Sequence, residues 1–225
     1  MNSSIARKVS MALSAFFLMI FLLQHFAINV TSIISEDTFN SLSHFMGTNF
    51  AIQYIMQPIL IFGVLFHFVM GFILEFKNKQ ARNIKYAKNN GGANSSWMSR
   101  NMILSGLVIL AFMGLHFYDF WIPELTIKFV GGDMSGLIDS DNMDSGLRYF
   151  SELQHKFVNP IRVAIYCVAF IFLSLHLLHG FSSAFQSMGA NNKYTRALSK
   201  FGVAYAILIP LGFIVIALFH HFNHC

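Results

Sequence analysis

Five apolar segments, each about 20 residues or more in length, constrain the fold of this chain more than any other feature. An α-helix needs about 20 apolar residues to cross the hydrocarbon core of a bilayer, and only helices and closed barrels satisfy their backbone groups there. We therefore predict an all-α membrane protein in which residues 1–225 form a single transmembrane domain, a bundle of five helices. The predicted spans cover about residues 10–30, 51–76, 101–122, 160–185 and 201–222.

The composition excludes most other classes of protein. Charged residues make up 11% of the chain, against about 25% in a soluble domain, so neither a disordered chain nor an ordinary soluble enzyme is expected. Cys167 lies in an apolar run and Cys225 is the last residue, so no disulfide framework is predicted. The absence of a Cys-x-x-Cys-His motif excludes covalently attached c-type haem. Arg7 and Lys8 precede the first apolar run as in a signal peptide, but that run is too long and lacks a cleavage motif, so a retained span is expected.

Basic residues are concentrated at one end of the predicted bundle. Eleven of the 15 Lys and Arg residues precede span one or lie between spans two and three or spans four and five, whereas nearly all acidic residues lie in the opposite loops. Because loops rich in Lys and Arg stay in the cytoplasm, we expect a cytoplasmic N-terminus. The basic residues, which can bind anionic lipid or an acidic partner protein rather than nucleic acid, are Arg7, Lys8, Lys77, Lys79, Arg82, Lys85, Lys88, Arg100, Lys193, Arg196 and Lys200.

The outer loop between spans three and four, about residues 123–159, is too long for a plain connection. Its second half has apolar residues at helical spacing, namely Leu147, Phe150, Leu153 and Phe157. This pattern predicts an amphipathic helix at the membrane interface.

Four histidines lie deep within four different spans: His25, His67, His116 and His176. Ionisable side chains inside a bilayer are costly and mark functional sites, although any one of them can simply hydrogen-bond a neighbouring helix. From the rise of a helix, His25 and His116 each lie about 22 Å from the cytoplasmic end, and His67 and His176 lie about 14 Å and about 12 Å from it. The four residues therefore form two levels, each with two histidines from two helices.

Two facing imidazoles at one depth suit a haem iron. Imidazole is a good ligand for iron, and a haem supplies four nitrogens of its own, whereas structural zinc needs four protein ligands. We therefore predict two non-covalent b-type haems, one at each level, with the four histidines as the axial ligands of the iron. Two axial imidazoles leave no open coordination position, which favours electron transfer over oxygen chemistry.

Glycines near two of these histidines are further candidates for the cofactor site. Gly63 and Gly71 lie four residues on either side of His67, and Gly180 lies four residues after His176. Glycine inside a helix costs up to about 1 kcal/mol relative to alanine, and room for a flat macrocycle explains that cost. Close packing of membrane helices explains it equally well.

The remaining histidines give weaker signals. His179 follows His176 by three residues, and we expect it to contact a haem propionate or the surface. His44 and His155 lie outside the predicted spans and are expected to be solvated. His220, His221 and His224 are expected to form a polar tail at the outer end.

Several stretches of the sequence carry a family resemblance. They are residues 3–8 (SSIARK) leading to His25, residues 66–67 with Lys79, Arg82 and Tyr86, residues 99–102 (SRNM) and 105–106 (SG) leading to residues 116–121 (HFYDFW), and residues 176–183 (HLLHGFSS). Together they resemble the membrane cytochrome b subunit of succinate:quinone oxidoreductases, of the single-polypeptide, five-helix, di-haem type. The resemblance extends over nearly the whole chain.

The resemblance implies which histidines share a haem and which partners the chain has. It implies that His25 and His116 hold the outer haem and that His67 and His176 hold the inner one. Since the family ligand precedes the glycine by four residues, the resemblance selects His176 over His179. It also implies a flavoprotein with FAD and an iron–sulfur subunit on the cytoplasmic face of a bacterial cytoplasmic membrane. Succinate is then oxidised on the flavoprotein, as in the tricarboxylic acid cycle, and this chain passes electrons to a quinone, expected to be menaquinone. A homo-oligomer of the complex is a further expectation.

The position of the quinone pocket stays open in the sequence. Ser4, Arg7 and Lys8 are the inner candidates, and His44, Asp119 and Trp121 are the outer ones. Some fumarate reductases of this type carry a glutamate two residues before the fourth ligand, whereas this chain has Ser174 there. The sequence therefore does not predict a relay of buried carboxylates.

Three other functions remain open from the sequence. One is the di-haem anchor of a different membrane oxidoreductase, such as a hydrogenase or a formate dehydrogenase. Another is a transporter or proton channel with histidines and no haem. The third is a structural anchor whose histidines only pack helices together.

Overall fold

The computed structural model describes residues 3–80, 101–140, 142, 145–189 and 194–223, and over these ranges the protein is helical with no strand. The helices are α1 (Ser4–Ile34), α2 (Glu36–Thr48), α3 (Ile52–Gln80), α4 (Met102–Val130), α5 (Tyr149–Phe157), α6 (Pro160–Ser187) and α7 (Thr195–Phe222). Five of them, α1, α3, α4, α6 and α7, are long and apolar enough to cross a membrane. The predicted all-α architecture with five candidate spans is confirmed, as expected for a multi-pass membrane protein.

Several span boundaries differ from the prediction: the fifth span, for example, begins at Thr195 rather than near residue 201. The first span begins earlier, at Ser4, where the hydroxyl of Ser3 accepts the Ala6 N–H at 3.4 Å and caps the helix. The third span does not end near residue 122, because α4 continues to Val130 through two stretches of wider π-helical turns. Part of the predicted outer loop is therefore helix.

The helix α2 was not predicted, since 13 residues of mixed polarity are too few to span a bilayer. Ser35 starts it: this residue ends α1, and its hydroxyl accepts the Thr38 N–H at 3.2 Å. Glu36 and Asp37 in the first turn favour the helix by interacting with its dipole. At the other end, the Asn49 side chain accepts the backbone N–H of Ala51 at 3.0 Å, next to the start of α3.

Four of the spanning helices form a ring. α1 packs against α3 and α6, and α4 packs against the same two helices. Consequently α1 lies diagonally opposite α4, and α3 lies diagonally opposite α6. α7 packs outside the ring against α6 and α1, where Ala206 and Ala217 are fully buried and allow close approach.

One end of the ring is covered and the other is not. The helices α2 and α5 contact each other beyond the end of α1, and Asn40 Oδ1 accepts the Phe150 backbone N–H at 2.8 Å. We call this the capped end, and the end where α1 begins the N-terminal end. The predicted helix in the second half of the outer loop is confirmed as α5, which starts at Tyr149.

Buried charges hold the capped end together. Glu124 lies 2.5 Å from the Lys128 ammonium group through one oxygen and 2.6 Å from the Arg148 guanidinium group through the other. Arg148 also binds Glu152 at 2.8 Å, and Lys128 donates to the carbonyl of Gly47. Burial alone lowers the pKa of Arg148, but the hydrogen bonds to Glu152 and Glu124 outweigh it and hold that pKa above its usual value.

Orientation in the membrane stays a prediction, and part of the basic segments on which it depends is not described. The described residues Arg7, Lys8, Lys77, Lys79, Arg196 and Lys200 belong to helix ends at the N-terminal end of the bundle. Residues named in the sequence analysis that lie outside the described ranges are Arg82, Lys85, Tyr86, Lys88, Ser99, Arg100, Lys193, His224 and Cys225.

Candidate cofactor site

The ring brings the four interior histidines together as two diagonal pairs. The ring centroids of His25 on α1 and His116 on α4 are 5.8 Å apart. Those of His67 on α3 and His176 on α6 are 6.4 Å apart. These are the same two pairs that helix depth and the family resemblance indicate; we call them the capped-end pair and the N-terminal-end pair, respectively.

The two pairs lie at different depths in the bundle. His67 Nδ1 lies 3.1 Å from the hydroxyl of Ser14 on α1. Ser14 precedes His25 by 11 residues on the same helix, which corresponds to about 16 Å of helix rise. The two pairs are therefore stacked along the bundle axis about 16 Å apart.

The spacing within each pair fits two imidazoles on opposite sides of one metal ion. Metal–imidazole bonds of about 2 Å place the two ring centroids about 6 Å apart, and both pairs have this separation. The ring planes are turned by 85° and 65° relative to each other. Such angles are compatible with axial coordination, because each ring can turn about its own metal bond.

Each pair offers only two ligands. Within the described ranges, no group of three or more His, Cys, Asp or Glu side chains is placed to hold a metal ion. A pair of imidazoles suits a metal that brings its remaining ligands with it, as the iron of a haem does through four ring nitrogens. The residues present therefore fit one haem at each level.

Serines hold both rings of the N-terminal-end pair. The Ser14 hydroxyl, 3.1 Å from His67 Nδ1, donates to the Met11 carbonyl at 2.8 Å. In the same way, the Ser105 hydroxyl lies 3.1 Å from His176 Nδ1 and donates to the Met102 carbonyl at 2.9 Å. Both serines were missed as site residues, although the sequence places each of them 11 residues before a candidate ligand.

The surroundings of the capped-end pair are mainly aromatic. The rings of Phe21 and Phe213 lie 5.5 Å and 5.7 Å from His25, and Phe112 and Phe120 lie 5.8 Å and 5.3 Å from His116. Among the described residues, His116 Nδ1 is buried and has no hydrogen-bond partner. Asn29 lies beside His25: its amide donates to the His25 carbonyl at 2.8 Å and lies 3.4 Å from the His25 ring.

A buried carboxylate lies beside the capped-end pair. Asp119 is only 1% exposed, and its Oδ2 accepts the Tyr166 hydroxyl at 2.8 Å. Arg162 approaches the same oxygen at 3.5 Å, while Oδ1 is buried without a hydrogen-bond partner among the described residues. The Tyr166 ring is 6.4 Å from the His116 ring. Glu75, by contrast, forms a partly exposed ion pair with Lys79, so Asp119 is a single buried carboxylate rather than part of a relay with Glu75.

The predicted glycines have different neighbours. A Cβ at Gly63 lies 2.7 Å from the Phe17 ring of α1, which is the close helix packing that the sequence left open as an alternative. Cβ atoms at Gly71 and Gly180 meet only methionine methyl groups, at 3.7 Å and 3.6 Å. Gly106, which sequence reasoning did not select as a site residue, lies beside a candidate ligand, since a Cβ added there would lie 3.8 Å from His176 Cε1.

The other predicted site residues lie toward the N-terminal end. His179 is half-buried one turn after His176, and Arg7 is half-buried near the start of α1. Lys8 is exposed. Their proposed contacts with haem propionates or quinone stay predictions.

Two histidines expected in solvent are instead covered by the cap. His220 is 1% exposed and its Nε2 lies 2.9 Å from the Ser32 hydroxyl, so it is a core residue and not part of a polar tail. His44 Nδ1 is buried and has no hydrogen-bond partner among the described residues. The His44 ring lies 6.2 Å from the Tyr149 ring. Burial, reinforced by the Glu124 carboxylate, raises the pKa of Tyr149 to about 12. His155 is exposed, as predicted.

Fold and site together define a helical, multi-pass membrane protein with two stacked pairs of histidines inside a four-helix ring. Comparisons of the chain with protein-family models, with curated proteins and with solved structures find no match. The assignment to a particular family therefore depends on the sequence motifs and on the arrangement of the histidines.

Proposed function

We propose that this chain is the di-haem cytochrome b anchor of a succinate:quinone oxidoreductase and passes electrons between an iron–sulfur subunit and a membrane quinone. The observation that supports the proposal is the arrangement of the histidines. Each of the four ring helices contributes one, and the rings meet in two diagonal pairs 5.8 Å and 6.4 Å apart. Helix packing alone does not require the same diagonal pairing at two separate depths.

The proposed ligands are His67 with His176 at the N-terminal end and His25 with His116 at the capped end. A bound haem supplies one-electron redox chemistry through its iron. The protein orients the four imidazoles, keeps water away with phenylalanine rings around the capped-end pair, and spaces the two sites about 16 Å apart along the axis. Electrons entering at one end then have a redox centre at each level.

The charge distribution supports assignment of the two ends. The basic N-terminal end, with Arg7, Lys8, Lys77 and Lys79, is the proposed cytoplasmic face and docking site for the iron–sulfur and FAD-bearing subunits in a bacterial membrane. Quinone reduction takes up protons as well as electrons. The buried Asp119 beside the capped-end pair has an oxygen, Oδ1, with no hydrogen-bond partner among the described residues, which can accept a hydrogen bond from a quinol hydroxyl. This favours the capped end for the quinone over the inner candidates.

A spectrum of the purified complex tests the proposal. The complex is isolated with its partner subunits, oxidised, and then given succinate, with dithionite added last to reduce all remaining haem. We expect b-type absorption bands, of which at least part appears with succinate. Bands that appear only with dithionite contradict the succinate assignment and favour a hydrogenase or formate dehydrogenase anchor. A purified chain with no bands contradicts haem binding altogether and favours a transporter or a structural anchor.

The variants His155→Ala and His176→Ala make a matched comparison. His155 is an exposed histidine outside the ring, so its replacement is expected to leave the spectrum unchanged. Replacement of His176 removes a proposed ligand and is expected to reduce the haem absorbance by about half, since one of two sites is lost. Equal spectra for the two variants contradict the assignment of His176.

A further inference from the structure

We propose that Ser14 and Ser105 are positioning residues that orient the imidazoles of His67 and His176 and set the redox potential of the group bound between them. The inference rests on the proposed function, because it concerns the same pair of ligands. It assigns a role to two side chains that the family motifs and the depth argument leave without one.

The hydrogen bonds of the two serines determine which ring nitrogen carries the proton. A serine hydroxyl has one hydrogen, and in both cases that hydrogen points to a carbonyl of the same helix, Met11 for Ser14 and Met102 for Ser105. The hydroxyl oxygen is then an acceptor, and the Nδ1–H of the facing histidine donates to it at 3.1 Å. A neutral imidazole protonated on Nδ1 has its lone pair on Nε2. The Nε2 atoms of both rings would then be the atoms available to bind a metal between them.

The spacing of residues along a helix explains why the serine–histidine contact occurs twice. Ser14 precedes His25, and Ser105 precedes His116, by 11 residues. Eleven residues are close to three full turns, so the serine and the histidine lie on the same face of α1 and of α4. Each of these two helices therefore provides a ligand for the capped-end pair and a hydrogen-bond acceptor for the N-terminal-end pair.

Burial makes these contacts strong. Ser14 is 8% exposed and Ser105 is 6% exposed, and a buried hydroxyl is costly unless it is hydrogen-bonded. Partners that accept from the second nitrogen of a ligating histidine fix its tautomer and raise its basicity. A more basic imidazole stabilises the oxidised iron, so the serines are expected to lower the reduction potential at this level. At the capped-end pair, in contrast, His116 Nδ1 has no hydrogen-bond partner among the described residues.

A redox titration of the haems in the purified complex tests the inference. Ser14→Ala, Ser105→Ala and the double variant remove one or both acceptors, and the haem at this level is identified by its loss in His67→Ala. We expect its midpoint potential to shift to more positive values, further in the double variant than in either single variant. The potential of the other haem is expected to stay unchanged. Ser14→Thr retains the hydroxyl and is expected to restore the original value.

Ser32→Ala is the matched control. The Ser32 hydroxyl is 3% exposed, donates to the Asn29 carbonyl at 2.7 Å and lies 2.9 Å from His220 Nε2, which reproduces the arrangement at a histidine outside both pairs. This variant is expected to perturb packing but to move neither potential.

The outcomes separate this inference from the proposed function. Two haems with potentials unmoved by Ser14→Ala and Ser105→Ala overturn the role of the serines and leave the proposed function standing. Equal shifts of both haems, or a shift in Ser32→Ala as large as in Ser14→Ala, also overturn it, because they indicate a general packing effect. A wild-type chain without haem overturns the proposed function and this inference together.

Discussion

The two histidine pairs are chemically identical sets of candidate ligands in different surroundings. At the N-terminal end, the Nδ1 atoms of His67 and His176 each meet a serine hydroxyl at 3.1 Å. At the capped end, His25 and His116 lie among phenylalanine rings, and His116 Nδ1 has no hydrogen-bond partner in the part of the chain that the structure describes. The first pair is held by polar contacts between helices, whereas the second lies mainly among aromatic rings, with the Asn29 amide of the same helix 3.4 Å from His25 Nδ1.

Under the proposed function, this difference would give the two similar redox groups different properties. Hydrogen bonds to the second ring nitrogen and the polarity of the pocket both tune a metal-bound histidine. The polar N-terminal-end pair and the aromatic capped-end pair are therefore expected to have unequal potentials. Unequal potentials give the transfer between two levels a direction.

Removal of a ligand has the largest expected effect. His67→Ala and His116→Ala each remove one imidazole from one pair, and because the pairs are about 16 Å apart, each change is expected to abolish one haem and retain the other. Haem content per chain, measured by pyridine haemochrome absorbance, then falls from two to about one in either variant. Loss of both haems in a variant that still folds contradicts the independence of the two pairs.

A side chain at Gly106 is expected to affect the N-terminal-end pair alone. Its Cβ position lies 3.8 Å from His176 Cε1, so Gly106→Ala fits by ordinary contact, whereas the longer side chain of Gly106→Leu enters the space beside the ring. We expect Gly106→Leu to lose the haem at this level and Gly106→Ala to keep it. In the redox titration, one of the two haem components is expected to disappear in Gly106→Leu. Retention of both components in that variant contradicts the assignment of His176 as a haem ligand.

The first of these predictions depends on residues that the sequence identifies, and the second depends on a residue that it does not. The apolar length of the segments predicted five spans, and helix rise alone placed His25 level with His116 and His67 level with His176. Gly106, in contrast, is one of several small residues in its helix, and its proximity to His176 depends on how α4 is rotated against α6. Rotation about a helix axis is set by packing, which the length of an apolar segment does not encode.

The capped end shows the same limit. The helix α2 is too short to be recognised as a span. The extension of α4 to Val130 depends on π-helical turns, which no pattern of residues in the sequence predicts. Because α2 and α5 cover this end, His220 is buried and His44 is half-buried rather than solvated. The pairing of Ser14 with His67 had a readable signal, since the spacing of 11 residues recurs in two helices.

The charged cluster should matter for the capped end more than for the N-terminal end. Glu124→Gln leaves Lys128 and Arg148 buried without the carboxylate that they share. Removal of one partner from a buried ion pair costs about 3–5 kcal/mol, which we expect in unfolding experiments in mixed micelles. Glu152→Gln changes a more exposed partner of Arg148, and its cost is expected to stay below about 1 kcal/mol. Similar losses for both variants contradict a structural role for Glu124.

The smallest effect is expected at Tyr149. Burial raises the pKa of this phenol from 10.0 to about 12, so the folded protein keeps its proton at pH values where the unfolded chain has lost it. Its contribution to stability is therefore intact below pH 10 and is lost as the pH rises toward 12. Tyr149→Phe is expected to remove this decline and, because the hydroxyl has no hydrogen-bond partner among the described residues, to change stability at pH 7 by less than about 1 kcal/mol. An alkaline stability profile that is identical in the two proteins contradicts the prediction.

The haem content of the wild-type chain tests the central claim most directly. Quantitative pyridine haemochrome absorbance, divided by the amount of polypeptide from amino-acid analysis, gives the number of haems per chain. Two stacked histidine pairs predict a value of two. A value of one shows that only one pair is a haem site, and a value of zero contradicts the reading of this helical ring as an electron-transfer protein.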